Sequence, residues 1–181
     1  IYVDVVFLNK NNKINKSRTI GISKSNFDYF NKNIINIKKK IWELKKIEIF
    51  SESLKNKKIL NFENDSKELF CILKNFKLYD LLLKDLSKNK FINFKKNKDY
   101  KYLLKKNYKI IFNCDVNNSI TKKYFYKKDE KNYNSIAYTT IINHKKKLDN
   151  NVATQIFMKN GPLAFLPVSQ IETSVVYSAR G

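Results

Sequence analysis

The segment "GPLAFLPV", Gly161–Val168, decides the fold class. It holds one of the three glycines and both prolines of the 181-residue chain, and it is uncharged although the formal net charge is +21. Its apolar residues predict a strand, and "SIAYTTIINH", "VATQIFMK" and "ETSVVYSA" around it are also strand-like. Upstream, strand and helix patterns are mixed. The sequence therefore predicts an α/β portion joined to an antiparallel β-sheet.

The charge of the chain has two interpretations. There are 37 basic against 16 acidic residues, and only Arg18 and Arg180 are arginine. Such an excess of positive charge favours binding to the phosphates of nucleic acid. Proteins that recognise bases, however, depend on the planar guanidinium of arginine. Lys, Asn, Ile, Phe and Tyr all have codons rich in A and T, so nucleotide bias explains the lysines without a partner. No specific nucleic-acid partner is expected, and a lysine-rich nucleic-acid-binding module remains the alternative.

The apolar content indicates a packed core. Hydrophobic residues make up 43% of the chain, which is too many for a disordered basic tail. No apolar run has the length that spans a bilayer. The two cysteines, Cys71 and Cys114, lack metal-ligand spacing and are predicted to be reduced thiols that face the core.

Several elements are predicted upstream of the four strands. Tyr2–Leu8 has a strand-like pattern, and Ser17–Ser23 contains Gly21, which marks a turn or a close backbone approach. Tyr108–Ser119 predicts a hydrophobic strand that ends in an Asp- and Asn-rich turn, and "KIEIF" and "KKILNF" suggest a hairpin. Phe27, Phe30, Ile34 and Ile37 have helical spacing, with Ser23 or Ser25 as the N-cap. Leu78, Leu81, Leu82 and Leu86 form one face of the clearest helix, with Asn75 as its cap.

The side chains do not supply a recognisable catalytic apparatus. His144 is the sole histidine and is expected at a solvated strand end, so neither a zinc site nor a Ser–His–Asp triad is expected. Three dispersed glycines cannot build a phosphate-binding Walker loop. We expect no metal and no catalytic side chain. If the protein is an enzyme, a cofactor must carry the chemistry.

Three segments resemble one enzyme family. Residues 17–30, "SRTIGISKSNFDYF", are similar to its "D-x-R-T-x-A-L-S" segment, and residues 73–86, "LKNFKLYDLLLKDL", to its "V-E-N-R-x-L-R-x-x-L-L" segment. Residues 142–178 resemble its "H-x-x-x-x-x-N-x-A-x-Q-x-F-x-x-x-G-P-L-A-x-L-P" block. The family is that of the flavin-dependent hydroxylases of ubiquinone biosynthesis (UbiH/UbiF/VisC), which are aromatic-ring flavoprotein monooxygenases.

The resemblance implies a fold like that of para-hydroxybenzoate hydroxylase. A partial, Rossmann-like FAD-binding domain would comprise residues 1–40 and 71–125, and the substrate domain residues 41–70 and 126–181. The G-x-G-x-x-G turn that holds the pyrophosphate in this family is not among these residues, so the chain resembles an internal fragment. On its own it is expected to be inactive.

Four residues match cofactor-binding positions of the family. The resemblance implies that Arg18 approaches the FAD, that Asn75 hydrogen-bonds it or caps a helix, and that Asp115 and Ser119 belong to the "A-D-G-x-x-S" motif for cofactor and nicotinamide. Val116 replaces the motif glycine, and a β-branched residue avoids positive φ. Two further departures are Leu8 and Asn9, which stand where an acidic residue would bind the adenosine ribose, and Phe76, which replaces an arginine.

The resemblance also implies a substrate and a reaction. NAD(P)H and O₂ would be used to hydroxylate a polyprenylated ubiquinone precursor, in a cytoplasmic protein with or without peripheral contact to the inner membrane. A ubiquinone-biosynthesis complex and an inactive relative with an assembly role are options that it leaves open. Leu166 is expected to add apolar surface to the substrate pocket, which the resemblance assigns to Gly161, Pro162, Leu163, Phe165 and Pro167.

Overall fold

The computed structural model describes residues 1–7, 15–63, 69–96, 100–127 and 129–180. Within these ranges the chain forms mixed α/β structure with mostly antiparallel sheets. The helices are α1 (Lys24–Asn33), α2 (Asn75–Leu86), α3 (Tyr100–Lys105) and α4 (Ser119–Tyr124). The strands are β1 (Val3–Phe7), β2 (Thr19–Ser23), β3 (Trp42–Leu44), β4 (Lys46–Ser51), β5 (Lys57–Glu63), β6 (Phe70–Lys74), β7 (Ile92–Lys96), β8 (Ser135–Asn143), β9 (Val152–Met158), β10 (Gly161–Ser169) and β11 (Glu172–Arg180).

The chain divides into two compact units. Unit 1 comprises Ile1–Lys13 and Leu86–Asn132, and unit 2 comprises Ile14–Asp85 and Tyr133–Gly181. In unit 1, β1 and β7 form a parallel pair. The domain boundaries expected from the family resemblance remain a prediction.

Unit 2 contains two sheets. The six-stranded sheet has the order β5-β4-β9-β10-β11-β8, and its pairs are antiparallel except for β4 with β9. The three-stranded sheet has the order β2-β6-β3 and is antiparallel. The segment Gly161–Val168 thus lies in β10, a central strand between β9 and β11.

Two hydrophobic clusters stabilise unit 2. One joins helices α1 and α2 to β2 and β6, and its buried members are Ile22, Phe27, Ile37, Cys71, Leu73 and Leu78. In the other, Leu44 and Ile72 of the three-stranded sheet contact Ala153 of the six-stranded sheet, with Leu166 packed against them. Complete burial of a Leu or Ile side chain contributes about 1.5–3 kcal/mol, so the second cluster holds the two sheets together.

Most of the predicted elements are confirmed. The strand at β1, the hairpin β4–β5, helix α2 and the four strands β8 to β11 occur as expected, and Cys71 is fully buried. The Ser23 side chain caps α1 by accepting from the Asn26 backbone N–H, which decides between the two proposed caps. No helix in the described ranges has both the length and the apolar composition needed to cross a membrane.

Three predictions about local structure were wrong. The run from Tyr108 has no strand before α4, because it finds no pairing partner among the described residues, and Phe112 is 86% exposed. Cys114 lies in the same segment and is exposed rather than core-facing. Helix α1 ends at Asn33 although the apolar spacing continues to Ile37. There the Asn31 side chain accepts from the Ile37 N–H at 2.9 Å and supports a turn that still buries Ile37.

Candidate functional site

One face of the six-stranded sheet contacts the three-stranded sheet, and we call it the inner face. Ser174 of β11 is buried there, and its Oγ lies 3.2 Å from Thr19 Oγ1 of β2. Just before β2, Ser17 Oγ lies 2.8 Å from Thr139 Oγ1 of β8. These hydroxyl pairs fix the beginning of β2 against β8 and β11.

Arg18 and Asn75 lie side by side at this point, and we call them the Arg18–Asn75 corner. The Asn75 backbone N–H donates to the Arg18 carbonyl at 3.0 Å, next to the pairing of Thr19 with Lys74. Both residues are exposed. Their side chains form no hydrogen bond or ion pair with the described residues, and Asn75 makes no capping bond. A guanidinium and an amide are therefore presented together to solvent.

A depression of about 500 Å³ lies at the Gly161 end of β10, and we call it the Arg180 depression. Because side chains alternate along a strand, Ser178 and Arg180 share the inner face with Ser174. Ser135 of β8 is paired with Arg180. The remaining lining residues are Tyr133, Phe157, Met158, Lys159, Gly161 and Pro162.

Gly161 is constrained by the strand beside it. Its φ is +135°, a conformation that L side chains rarely adopt, and an added Cβ would lie 1.7 Å from the Ser178 carbonyl oxygen. The family resemblance assigns this glycine to the substrate pocket. In the described structure the group next to its Cα is the Ser178 carbonyl of β11.

The other predicted pocket residues are divided between the two faces of the sheet. Leu166 is partly buried on the inner face, where it packs against the second hydrophobic cluster. Leu163, Phe165 and Pro167 alternate with it and belong to the opposite, outer face, where Pro167 is fully buried. The five assigned residues therefore do not share one face, although Gly161 and Pro162 meet at the depression. The period of two in a strand could have revealed this division.

Leu163 lies in an apolar row on the outer face. The strand register places Phe50, Ile156, Leu163, Tyr177 and Tyr138 opposite one another on five neighbouring strands. Tyr138 is 58% exposed. The row crosses the sheet from β4 to β8 and offers a continuous apolar surface.

Asp115 and Ser119 lie in unit 1, in the turn that begins α4. The Asp115 carboxylate accepts from the Asn117 backbone N–H at 2.9 Å, and Asn118 caps the helix. Ser119 is exposed. Val116 is not among the non-glycine residues with positive φ, so the turn avoids the conformation that a β-branched residue resists. Leu8 and Asn9, which depart from the ribose-binding pattern, lie outside the described residues.

Two solved structures share this architecture. A four-substitution variant of PqsL from P. aeruginosa matches with a TM-score of 0.71 at 9% identity, over 97% of this chain and 54% of that chain. PqsL from Pseudomonas aeruginosa, described as a probable FAD-dependent monooxygenase, matches with a TM-score of 0.69 at 8% identity, over 97% and 53%. Over the matched residues, the fold of this chain is similar to that of PqsL. The predicted fold class is thereby confirmed, and the chain spans about half the length of these structures.

The sequence comparisons give no match. No protein-family model and no curated protein matches the chain. The likeness to PqsL therefore concerns the fold.

Unit 1 of this PqsL-like fold contains a polar pair that the sequence analysis missed. The Tyr108 hydroxyl donates to Asp4 Oδ2 at 2.5 Å. This bond holds the pKa of the Asp4 carboxyl below its usual value, and the Asp4 carboxylate raises the pKa of Tyr108 well above that of a free tyrosine. The two residues are 104 positions apart, so no local pattern connects them.

His144 follows β8 directly, at a strand end as predicted, and it is partly buried. Its Nε2 lies 2.8 Å from Thr173 Oγ1 at the end of the six-stranded sheet. The Asn150 side chain donates to the same hydroxyl at 3.0 Å. In the described part of this PqsL-like fold, no group of three or more His, Cys, Asp or Glu residues is placed to hold a metal.

Proposed function

We propose that the chain is part of an FAD-dependent monooxygenase. The observation that carries this proposal is the likeness to PqsL, with a TM-score of 0.71 over 97% of the chain. The resemblance of three sequence segments to flavin hydroxylases supports the same assignment independently. On this basis the aromatic ring of a polyprenylated ubiquinone precursor is the proposed substrate, and NAD(P)H and O₂ are the co-substrates.

The Arg18–Asn75 corner fits the cofactor. The Arg18 guanidinium is exposed and unpaired among the described residues, which suits an oxygen of the FAD phosphates or ribose. Asn75 offers an amide for a hydrogen bond beside it. When bound, FAD supplies the redox chemistry that connects NAD(P)H and O₂ to the ring. The protein binds and orients the reactants and excludes water. Asp115 and Ser119 remain predicted cofactor contacts on the family resemblance alone.

The apolar residues of β10 support the proposed substrate class. Leu163 lies in the row of apolar side chains on the outer face, and Phe165 is its neighbour on the same face. Such a surface suits a hydrocarbon tail, because burying apolar area provides most of its binding free energy.

Peripheral contact with an anionic membrane surface is a further part of the proposal. Leu148 and Ile171 are 47% and 46% exposed, and the Leu148 N–H donates to the Gln170 carbonyl at 3.0 Å, which joins their two loops. Lys145–Lys147 precede Leu148 directly. Lysines beside exposed apolar side chains suit anionic headgroups. Cosedimentation with anionic but not neutral vesicles is the expected result, and equal recovery with both contradicts it. A ubiquinone-biosynthesis complex is the proposed protein partner.

The test uses the protein expressed from its complete reading frame. We expect FAD to copurify, and NAD(P)H oxidation to accelerate when a prenylated phenol is added, with a product heavier by one oxygen atom. Arg18→Ala is expected to weaken FAD binding at least about tenfold, because a charge-assisted phosphate contact is lost. Arg18→Lys should retain part of the affinity, and Lys16→Ala is the matched control. A complete protein that binds no FAD contradicts the proposal and favours an inactive relative.

A further inference from the structure

We propose that Tyr108 is a redox-active tyrosine, which gives one electron to an oxidant while its phenolic proton passes to Asp4. The oxidant belongs to the class of one-electron oxidants, which comprises oxidising radicals and high-potential metal complexes. The inference goes beyond the proposed function, because the step involves neither FAD nor the aromatic substrate.

The hydrogen bond between the two side chains places the proton acceptor in advance. The Tyr108 hydroxyl donates to Asp4 Oδ2 at 2.5 Å, as expected for a hydroxyl bonded to an ionised carboxylate. A group that takes a proton must lie within hydrogen-bond reach of it, and this pair already does so before any oxidant is present. Both residues are partly buried, which limits the access of water to the phenolic proton.

The direction of the proton transfer follows from the acidity of an oxidised phenol. Loss of one electron turns a phenol into a radical cation, which is a much stronger acid than a carboxylic acid. The Asp4 carboxylate therefore takes the proton even though its own pKa is lowered. The O–H bond of Tyr108 breaks, and an O–H bond forms on Asp4 Oδ2. The products are a neutral phenoxyl radical, a neutral carboxylic acid and an oxidant that has gained one electron.

The Tyr108 phenol keeps its proton at neutral pH until it is oxidised. Its hydrogen bond to the Asp4 carboxylate raises the pKa of Tyr108 well above that of a free tyrosine, because a phenolate would lose this bond and face a second negative charge. A phenolate, which gives up an electron without moving a proton, is therefore not the reactant. The electron and the proton leave in one coupled step, so the rate depends on the mass of the transferred hydrogen.

The surroundings of Asp4 keep the acceptor ionised. The Tyr108 bond is the largest cause of the lowered pKa of this carboxyl. A hydrogen bond from the Asn93 side chain and the positive charges of Lys95 and Lys106 lower the pKa further. Asn93 is the residue paired with Asp4 on β7. The carboxylate is therefore ready to accept a proton at any pH above its lowered pKa.

The second phenol next to Tyr108 is a poorer place for the radical. The Tyr102 side chain hydrogen-bonds Tyr108, so the two rings are close enough to exchange an electron. Lys106 Nζ lies 6.0 Å from the centroid of the Tyr102 ring, and a cation over a ring opposes removal of an electron from it. Tyr108 contacts a carboxylate instead. The radical is therefore expected at Tyr108 and not at Tyr102.

The experiment follows radical formation after a laser flash. The complete protein is mixed with tris(bipyridine)ruthenium(II) and persulfate, and the flash produces the ruthenium(III) complex as the one-electron oxidant. Transient absorption of the phenoxyl radical at neutral pH is recorded in H₂O and in D₂O. We expect a phase that is slower in D₂O and is absent from Tyr108→Phe. In Asp4→Asn this phase should be at least about 100-fold slower, because a positioned general base contributes roughly 10²–10⁴ in rate.

Tyr126→Phe is the matched control, because Tyr126 lies in the same unit and is 74% exposed. Its loss should leave the deuterium-sensitive phase unchanged. Thermal unfolding of each variant checks that the fold is intact. If a variant fails to fold, the wild type decides: as the pH falls through the lowered pKa of Asp4, the acceptor becomes protonated and the phase should slow.

Three results overturn the inference: a wild type without a deuterium-sensitive phase, a phase that persists in Tyr108→Phe, and an Asp4→Asn variant as fast as the wild type. None of them bears on the flavin, because no flavin-dependent step is measured. A complete protein that binds no FAD but shows the Tyr108 phase contradicts the monooxygenase proposal alone. A protein that binds FAD and oxidises its substrate without this phase contradicts the redox-active tyrosine alone.

Discussion

At the scale of single residues, the pair formed by Asp4 and Tyr108 shows what tertiary structure adds to sequence. Tyr108 begins a run that predicts a strand, yet its hydroxyl donates to Asp4 at 2.5 Å. The bond favours the ionised carboxylate, which is why the pKa of Asp4 is lowered. An Asp with a lowered folded pKa stabilises the protein above its unfolded pKa and ceases to do so as the pH falls.

Replacing Tyr108 with phenylalanine tests this bond. In Tyr108→Phe the pKa of Asp4 should rise toward its usual value of 3.8, because the first and largest cause of the shift is removed. The variant should be less stable than the wild type at pH 7, and the difference should shrink as the pH falls below about 4. Urea unfolding at pH 7 and pH 3 measures the stabilities, and carboxyl-detected NMR follows Asp4.

A matched control comes from the same unit. Tyr126 is 74% exposed, and Tyr126→Phe should leave both the Asp4 titration and the stability unchanged. If Asp4 titrates identically in the wild type and in Tyr108→Phe, the hydrogen bond does not control its pKa.

At the scale of elements, the central strand β10 depends on how its first residue is paired. Gly161 has a φ of +135° beside β11, and an added Cβ would meet the Ser178 carbonyl oxygen. Gly161→Ala should therefore reduce the free energy of unfolding by about 1–3 kcal/mol from backbone strain alone. Chemical unfolding monitored by far-UV circular dichroism measures the loss.

Asn160 provides the control for Gly161. Its carbonyl accepts from the Arg180 N–H at 2.9 Å, and Asn160→Ala keeps that backbone bond. The expected change is within about 0.5 kcal/mol, as for other exposed positions. If Gly161→Ala lowers the free energy of unfolding by no more than about 0.5 kcal/mol, β10 and β11 adjust to the added Cβ without strain.

The sequence predicts those helices and strands whose apolar residues are buried by neighbouring elements in the fold. Strand β10 was found because its apolar run lies in the middle of a sheet, and α2 because Leu78 and its helical neighbours face a core. The run from Tyr108 also holds consecutive apolar residues, Ile110–Phe112, but it is unpaired among the described residues, and a strand forms only where a neighbour accepts its hydrogen bonds. Leu163 and Leu166 were assigned to one pocket because both are apolar, and the apolar character of a residue does not show on which face of the sheet it lies.

The sequence also predicts only part of the candidate site, because residues far apart in the chain come together there. Arg18 and Asn75 were predicted by motif resemblance, and the β2–β6 pairing brings them together. Arg180 was not predicted as a site residue, because its significance depends on Ser135 and Phe157 from other strands. The rarity of arginine was the one signal in the sequence that pointed to it.

At the scale of the whole molecule, the net charge of +21 sets the behaviour toward polyanions. Phosphate neutralisation by lysines gives binding that depends on salt and not on base sequence. We expect dissociation constants of about 10⁻⁴–10⁻⁶ M for any short DNA duplex at physiological salt, with log K falling linearly with log salt concentration. Fluorescence anisotropy with two unrelated duplexes, and with heparin as a competitor without bases, measures this. Heparin should compete as well as unlabelled DNA does, because binding through charge alone makes no use of the bases. Sub-micromolar affinity for one duplex that heparin cannot displace would require base contacts, and it would favour a nucleic-acid-binding module over the flavin monooxygenase.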